Sequence, residues 1–424
     1  MKVYLPLFIF ASASISFAAA PEVSNILATQ RAGTKLVDIY YDVTDAEGDS
    51  LTVAVQMSSD AGSSWNIPAR TLTGDVNFNV TPGTSNHIVW NAGADWNRNY
   101  TTQGKVRILA DDAPTTPPIA SMAFVPAGFS NPGKEIYSSA FFMDKTEVSK
   151  AEWDVVYSWA IANGYTFDNE GAATASDHPV ININWHDAVK WCNARSEKEG
   201  LTPCYYTESG KTTVYRTGLS ALDNNWVDWE ADGYRLPTRA EWLKAYWGGN
   251  EGSNYFPWPS SGGSYEDNLN GSVGNYRDSS DPWELGSYQV FQLIATTTPP
   301  TTPVGYYNGS QQPSGVNMVN GFGIYDLFGN ISEWCWDREL SNWYSQDESR
   351  DDNSPGPNGG LGRSRSIYGV NWYNEKSRYN DYISEMIPLI MIQLSSNTHS
   401  SSYTGFVEDI HHGPDVGFRT VRSH

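Results

Sequence analysis

Cysteine is nearly absent from this chain, with 3 among 424 residues, at Cys192, Cys204 and Cys335. Three cannot staple a disulfide-dense scaffold, so the folded state has to rest on apolar cores. There is no CxxC pair and no Cys/His set with metal-ligand spacing. Two readings of the cysteines stand: Cys192 pairs with Cys204 and leaves Cys335 odd, or all three are buried thiols. Basic residues are also scarce, 27 Lys+Arg against 48 Asp+Glu, for a formal net charge of -21. Neutralising phosphates takes a basic face, so a nucleic-acid partner is excluded. After the first twenty residues no run is long and apolar enough to span a bilayer. Met386 to Leu394 comes nearest and reads as a buried strand or an interface patch. Nucleophile elbows, phosphate loops and zinc-protease helices are missing too, and no carboxylate pair is singled out for acid/base work. Of the seven histidines only His411 and His412 are adjacent, in a Gly/Asp-rich loop where such pairs are usually exposed.

What is plentiful is aromatic surface and turn chemistry: 17 Trp, 25 Tyr and 15 Phe beside 37 Gly and 23 Pro. Large flat side chains packed under loops suit a strand-rich, turn-rich extracellular type of protein, and they exclude long helical bundles. The first twenty residues carry one positive charge at Lys2, an apolar stretch from Val3 to Phe10 and a small-residue exit at Ala18 to Ala20. They read as a secretory signal peptide, cut a residue or two before Ala20 because Pro21 disfavours cleavage beside it. The expected location is therefore secreted, periplasmic or cell-surface.

Pro- and Thr-rich punctuation at residues 113–118 reads as a linker between two domains. Residues 21–112 alternate apolar and polar positions at Val37 to Val43, Leu51 to Met57, Val76 to Val80 and Val106 to Leu109. Gly, Asp and Ser clusters separate these strands, the pattern of a small β-sandwich. This segment resembles the immunoglobulin-like or fibronectin-type modules of bacterial surface proteins. Its acidic turn, with Asp45, Glu47 and Asp49, reads as solvated rather than as a calcium loop. Residues 119–424 mix strands with two short amphipathic helices. One runs near Ser149 to Ala162 with a Ser149/Glu152 capping box, the other over Trp185 to Lys198, and Thr238 with Glu241 opens a further turn. The expected fold class is α+β, with so much irregular chain in the second domain that ions or aromatic plugs must hold it.

Within that second domain eight blocks follow in order: Phe124 to Phe129, Phe142 to Ser149, His178 to Ala188, Arg235 to Trp242, Phe256 to Trp258, Thr302 to Gly305, Gly321 to Trp334 and Asp415 to Arg419. In this order they resemble the formylglycine-generating enzyme (sulfatase-modifying factor) family. The resemblance implies a variant of the C-type lectin-like architecture, with little regular secondary structure. It also implies structural Ca2+ at Asn330 and Glu333, completed by the carbonyl of Ile331, with a second site at Asn275 and Asp278 or Asp281. Oxygen ligands three residues apart in a loop suit that ion. The bland alternative is that Asn330 closes a turn and Glu333 is solvated.

Active members of the family, as the resemblance implies, oxidise a substrate cysteine with copper held by two cysteines that follow a Gly-Gly-Ser-Trp block. Here that block reads Gly369-Val-Asn-Trp372, and the two cysteine positions hold Asn374 and Tyr379. Neither an amide nor a phenol replaces a bis-thiolate site for cuprous ion, so copper is not expected. A binding module then stands ahead of a metal-dependent oxidase acting on sulfatase cysteines. In this fold the segment after the block carries the ligand surface, which places Tyr373, Asn374, Arg378, Tyr379 and Tyr382 as candidate contacts to an extracellular protein or glycan. Tyr and Asn combine rigid area with adaptable hydrogen bonding.

Overall fold

The computed structural model describes residues 20–48, 50–63, 65, 67, 69, 71–112, 120–126, 128–131, 134–248, 271–277, 279–283, 300–338, 364–373 and 405–423. The first part is two facing sheets. Strands β1 (Glu22–Gln30), β2 (Leu36–Thr44), β3 (Leu51–Ser58), β4 (Leu72–Gly74), β5 (Asn77–Val80), β6 (Gly83–Asn91) and β7 (Lys105–Asp112) form it, with one short helical turn, α1 (Ala92–Asp95). One sheet has the order β1-β2-β6-β4 and the other β5-β3-β7. Alternation explains why they face each other. On β2, Ile39, Tyr41 and Val43 are fully buried, as are Val53, Val55 and Met57 on β3 and Ile88 and Trp90 on β6. All belong to one core.

Strand β3 breaks the half-buried pattern, since every one of its residues is buried. Its second face carries Thr52, Ala54 and Gln56, and there Ala54 packs with Ala140 and the partly buried Leu109 and Phe124. The second part of the chain covers this sheet, which is why small and polar side chains suffice on a buried face.

That second part continues with β8 (Met122–Val125), β9 (Gly128–Asn131), β10 (Lys134–Ser138), β11 (Phe141–Asp144), α2 (Lys150–Ala162), α3 (Trp185–Lys198) and α4 (Arg239–Trp247). It closes with β12 (Ser332–Arg338), β13 (Ser364–Tyr368), β14 (Gly405–Glu408), β15 (Val416–Gly417) and β16 (Val421–Ser423). Three sheets result, with orders β10-β9, β16-β11-β8 and β14-β13-β12-β15. All three long helices open on reciprocal capping boxes: Ser149 with Glu152, Asn184 with Asp187, and Thr238 with Glu241. Helix α4 stops at Gly248, whose φ of 61° is the left-handed conformation that glycine adopts without steric cost.

The α2 and α3 boundaries match the sequence expectation, but α3 is not an amphipathic surface helix. Twelve consecutive residues, Trp185 to Ser196, are buried all round it. Polar groups on it are buried with partners: Asn193 exchanges bonds with the Tyr205 backbone at 2.8 and 3.0 Å, and Ser196 donates to the Cys192 carbonyl at 2.8 Å. This helix is the axis of a core rich in Trp, in which Trp153 and Trp191 stack at 6.0 Å and Phe418 meets both edge-on. Arg365 is fully buried between the Trp185 ring at 3.7 Å and the Trp336 ring at 4.9 Å, and donates to the carbonyls of Trp336 and Leu222.

Cys192, Cys204 and Cys335 are free thiols with no solvent exposure. The reading of three buried thiols is the one realised. A thiol reagent should therefore leave native protein unlabelled and titrate three groups after denaturation without reductant; recovery of one group would show a Cys192 to Cys204 disulfide instead.

Candidate functional site

The centre of the second part is built around a carboxylate. Glu333 on β12 receives two bonds from the Arg419 guanidinium, at 2.6 and 2.8 Å, and a third from the Trp242 indole of α4 at 2.8 Å. Both ion-pair side chains are at most 1% exposed. Arg419 also donates to the Asp144 carbonyl of β11 at 3.2 Å. Asn330, three residues before Glu333, turns elsewhere. Its Oδ1 accepts from the Thr302 amide at 2.9 Å and its Nδ2 donates to Glu147 at 3.1 Å. Asn330 and Glu333 thus have separate side-chain partners in the structure, and both are buried rather than solvated. Ile331 is buried, with its carbonyl oxygen against Gly369. Asn275 is buried as well and donates to the Pro300 carbonyl at 2.6 Å, while Asp278 lies outside the described residues.

Beside Asn330 lies an acidic pair that the sequence reading did not single out. Glu147, between β11 and the α2 cap, is 1% exposed, and its carboxyl is held well above the usual range by burial and by the Asp326 carboxylate beside it. Burial likewise raises Asp326, against the bond it accepts from the Gly305 amide. Glu147 shares a side-chain hydrogen bond with Asp326, and the Thr302 hydroxyl has no hydrogen-bond partner. Among the described residues no group of three His, Cys, Asp or Glu side chains forms a metal cluster. The donor set to weigh is therefore two carboxylates with a hydroxyl.

The second region is the end of the Gly369 to Trp372 block. Gly369 has a φ of 96°, and a Cβ there would meet the Ile331 carbonyl oxygen and the Trp242 ring. The turn it allows sets Asn371 inward, donating to Ser332 Oγ at 3.0 Å and to Asp415 at 3.2 Å. Trp372 is buried and donates to the Pro414 carbonyl at 3.1 Å. Tyr373 meets the Trp372 ring edge-on at 5.9 Å, and the Arg277 guanidinium sits 5.4 Å from the Tyr373 ring centre. Of the candidate ligand contacts only Tyr373 is placed. Asn374, Arg378, Tyr379 and Tyr382 lie outside the described residues, as does the run Met386 to Leu394. The three thiols belong to α3, a buried loop and β12, all within the interior.

The sulfatase-modifying factor enzyme 1-like domain model matches residues 109–424. The chain belongs to that family. Among curated relatives, "Chaperone protein LppX" of Paenibacillus barcinonensis is 29% identical over 309 residues, covering 71% of this chain and 86% of that protein. The formylglycine-generating enzyme of Thermomonospora curvata is 25% identical over 221 residues, and that of Bos taurus is 25% identical over 249. This chain spans 52% and 57% of their lengths. Among solved structures, that of CarF is 23% identical, with a TM-score of 0.46 over 72% of this chain and 98% of that one.

Sequence blocks contained every element of the acidic pair, yet missed it. Glu147 stands in an ordinary strand-to-helix connection and Asp326 in a turn, 179 positions apart, so only the fold juxtaposes them. Arg277 was missed for the same reason.

Two outcomes follow from these interactions. Arg419→Met leaves Glu333 as a buried, uncompensated charge and should cost about 3–5 kcal/mol in urea unfolding, whereas Arg419→Met with Glu333→Met should recover much of it. Separately, His186 is fully buried between the Tyr215 hydroxyl at 3.0 Å and Asp409 at 3.1 Å. Burial lowers its pKa below the ordinary 6.5, ahead of the opposing pull of Asp409. A depressed histidine favours the native state above the unfolded pKa, and that contribution is lost as pH falls through the folded one. The melting temperature should therefore drop as pH falls below 6.5, and His186→Gln should flatten that part of the profile.

Proposed function

We propose that this protein is an exported, non-catalytic recognition module of the sulfatase-modifying factor family, binding an extracellular protein or glycan. Its N-terminal sandwich is read as an immunoglobulin-like module and its second part as a C-type lectin-like fold. The observation that carries the reading is chemical: Asn374 and Tyr379 stand where the resemblance calls for thiolates, and the chain's three thiols are buried elsewhere. This donor set does not fit cuprous copper. The ligand surface is read as starting at Tyr373, whose ring is braced by Trp372 and Arg277 and so offers area at little entropic cost. The name of the 29% identical relative, a chaperone protein, is that of a binder rather than an oxidase.

Calcium enters this reading as structural support, at Asn330, Ile331 and Glu333 and at Asn275 with Asp278 as the resemblance implies, and a further donor set lies beside the first of these. Glu333 is engaged by Arg419 and Trp242, and the further residues that fit a hard divalent cation are Glu147 and Asp326 with the Thr302 hydroxyl. Such an ion would supply the charge that two adjacent buried carboxyls lack. Calcium at about 100 times its Kd should add about 2.7 kcal/mol of stability. Glu147→Gln should abolish that increment, and a wild-type melting curve indifferent to calcium and to chelator would remove the site.

Function is tested with purified full-length mature protein. Incubated with copper(I), oxygen and a cysteine peptide of sulfatase type, it should form no formylglycine. On glycan and peptide arrays it should bind, and Tyr373→Ala should weaken that binding at least ten-fold. Formylglycine in the first assay would establish the oxidase reading instead.

A further inference from the structure

Charge is sorted along the strands of the sandwich. The loop after β2, residues 45–50, carries Asp45, Glu47 and Asp49. The opposite end is closed by residues 31–35, 59–71 and 92–104, and there the balance inverts, with Arg31, Lys35, Arg98 and the first residue of β7, Lys105, against Asp60 and Asp95. Both of those acids are already engaged. Asp95 accepts from the Thr71 amide and hydroxyl at 2.8 and 2.7 Å and from the Trp90 indole at 2.8 Å, and Asp60 accepts from the Ser58 hydroxyl at 2.7 Å. Arg31 is paired with Asp38. Lys35, Arg98 and Lys105 are exposed and make no ion pair among the described residues.

Three contacts join these loops into one surface. Lys35 donates to the Asn97 side chain, the Thr101 hydroxyl to the Ser59 carbonyl at 2.6 Å, and the Ala61 amide to the Gln103 carbonyl at 2.8 Å. The segment before β7 thereby bridges the loop after β1 and the loop after β3. Arg98 and Tyr100 stand on that bridge. Arg98 has a φ of 66°, a left-handed conformation that is uncommon for a residue with a Cβ, and Tyr100 is 85% exposed. Beside them a Cβ on Gly62 would lie 3.2 Å from Lys105 Cδ and 3.5 Å from the Trp65 ring, so a lysine and an indole flank one glycine. The Arg107 guanidinium sits 4.5 Å from the Trp65 ring centre.

We propose that this end of the sandwich binds an anionic polysaccharide, with Lys35, Arg98 and Lys105 taking its carboxylates or sulfates and Tyr100 the face of a sugar ring. A guanidinium matches such oxyanions with two parallel bonds, and an exposed tyrosine offers rigid area beside it. A neutral glycan would leave the cations unused. A bilayer would need contiguous aliphatic area, and among the described residues of these loops Tyr100 alone is a large apolar side chain in the open. The net charge of -21 does not cancel the attraction. At about 0.1 M salt, charges more than about 10 Å away are largely screened, so a polyanion at this end meets local cations and is repelled from the acidic remainder. This inference is independent of what Tyr373 and the second part of the chain bind.

The test is surface plasmon resonance of full-length mature protein on immobilised dextran sulfate and polygalacturonate, with plain dextran as the neutral control, at about 50 and 300 mM NaCl. Wild type should bind at least one charged polymer and not dextran, and lose at least ten-fold in affinity at the higher salt. Arg98→Ser with Lys105→Ser should weaken that binding at least ten-fold and Tyr100→Ala at least three-fold, while Tyr373→Ala should leave it unchanged. All of the sandwich positions are exposed, and circular dichroism melts confirm that each variant is folded. Absence of binding to both charged polymers overturns the proposal, as does equal binding to dextran. So does a folded Arg98→Ser, Lys105→Ser variant that binds as wild type does, or tighter binding to a DNA duplex or to phosphatidylglycerol vesicles than to either polymer.

Discussion

Glu333 and Arg419 are the pair on which the second part of the chain depends. Removing two charges from water is costly, and the cost is offset here by bidentate geometry plus a third donor from Trp242. What the pair gives in return is position. Glu333 belongs to the sheet β14-β13-β12-β15, Arg419 stands next to the strand of the sheet β16-β11-β8, and Trp242 is on α4. Helix α4, strand β12 and the chain between β15 and β16 are thereby fixed at one point. A second buried guanidinium, Arg365 between Trp185 and Trp336, does the same for α3 and β12 through aromatic faces and carbonyls. The scarcity of regular structure in this region is compatible with a definite fold because side-chain cations replace ladders as connectors.

Fold and chemistry are separable in such an architecture. The Gly369 turn, the inward Asn371 and the buried Trp372 depend on residues that form the interior. Membership by family match alone says little about activity, and the residue identities at positions 374 and 379 bear on it directly.

Much of the frame was legible in the sequence because its signals are local. Capping pairs at Ser149/Glu152 and Thr238/Glu241 and the alternation of β2 need no knowledge of the rest of the chain. Strand β6 was not read, since Asn86 and His87 interrupt its apolar rhythm, nor β1, which buries too little to show any rhythm. The full burial of α3 and of β3 was likewise invisible, because polar residues such as Asn193 and Gln56 are satisfied there by partners outside their own element. The same holds for the site. Glycine and aromatic blocks announced where it lies, while the engagements of Asn330 and Glu333, and the pairing of Glu147 with Asp326, are properties of the assembled fold.

The placement of Arg419 bears on the order in which the chain can assemble. It donates to the carbonyl of Asp144, a residue made 275 positions earlier. Until it arrives, Glu333 has no cation and β11 lacks its pairing with β16. The helices and the sandwich can organise from the residues already synthesised, but the hub of the second part stays open and charged. Completion is therefore a single late event, and a chain halted before residue 419 would hold its carboxylates in water rather than in a core.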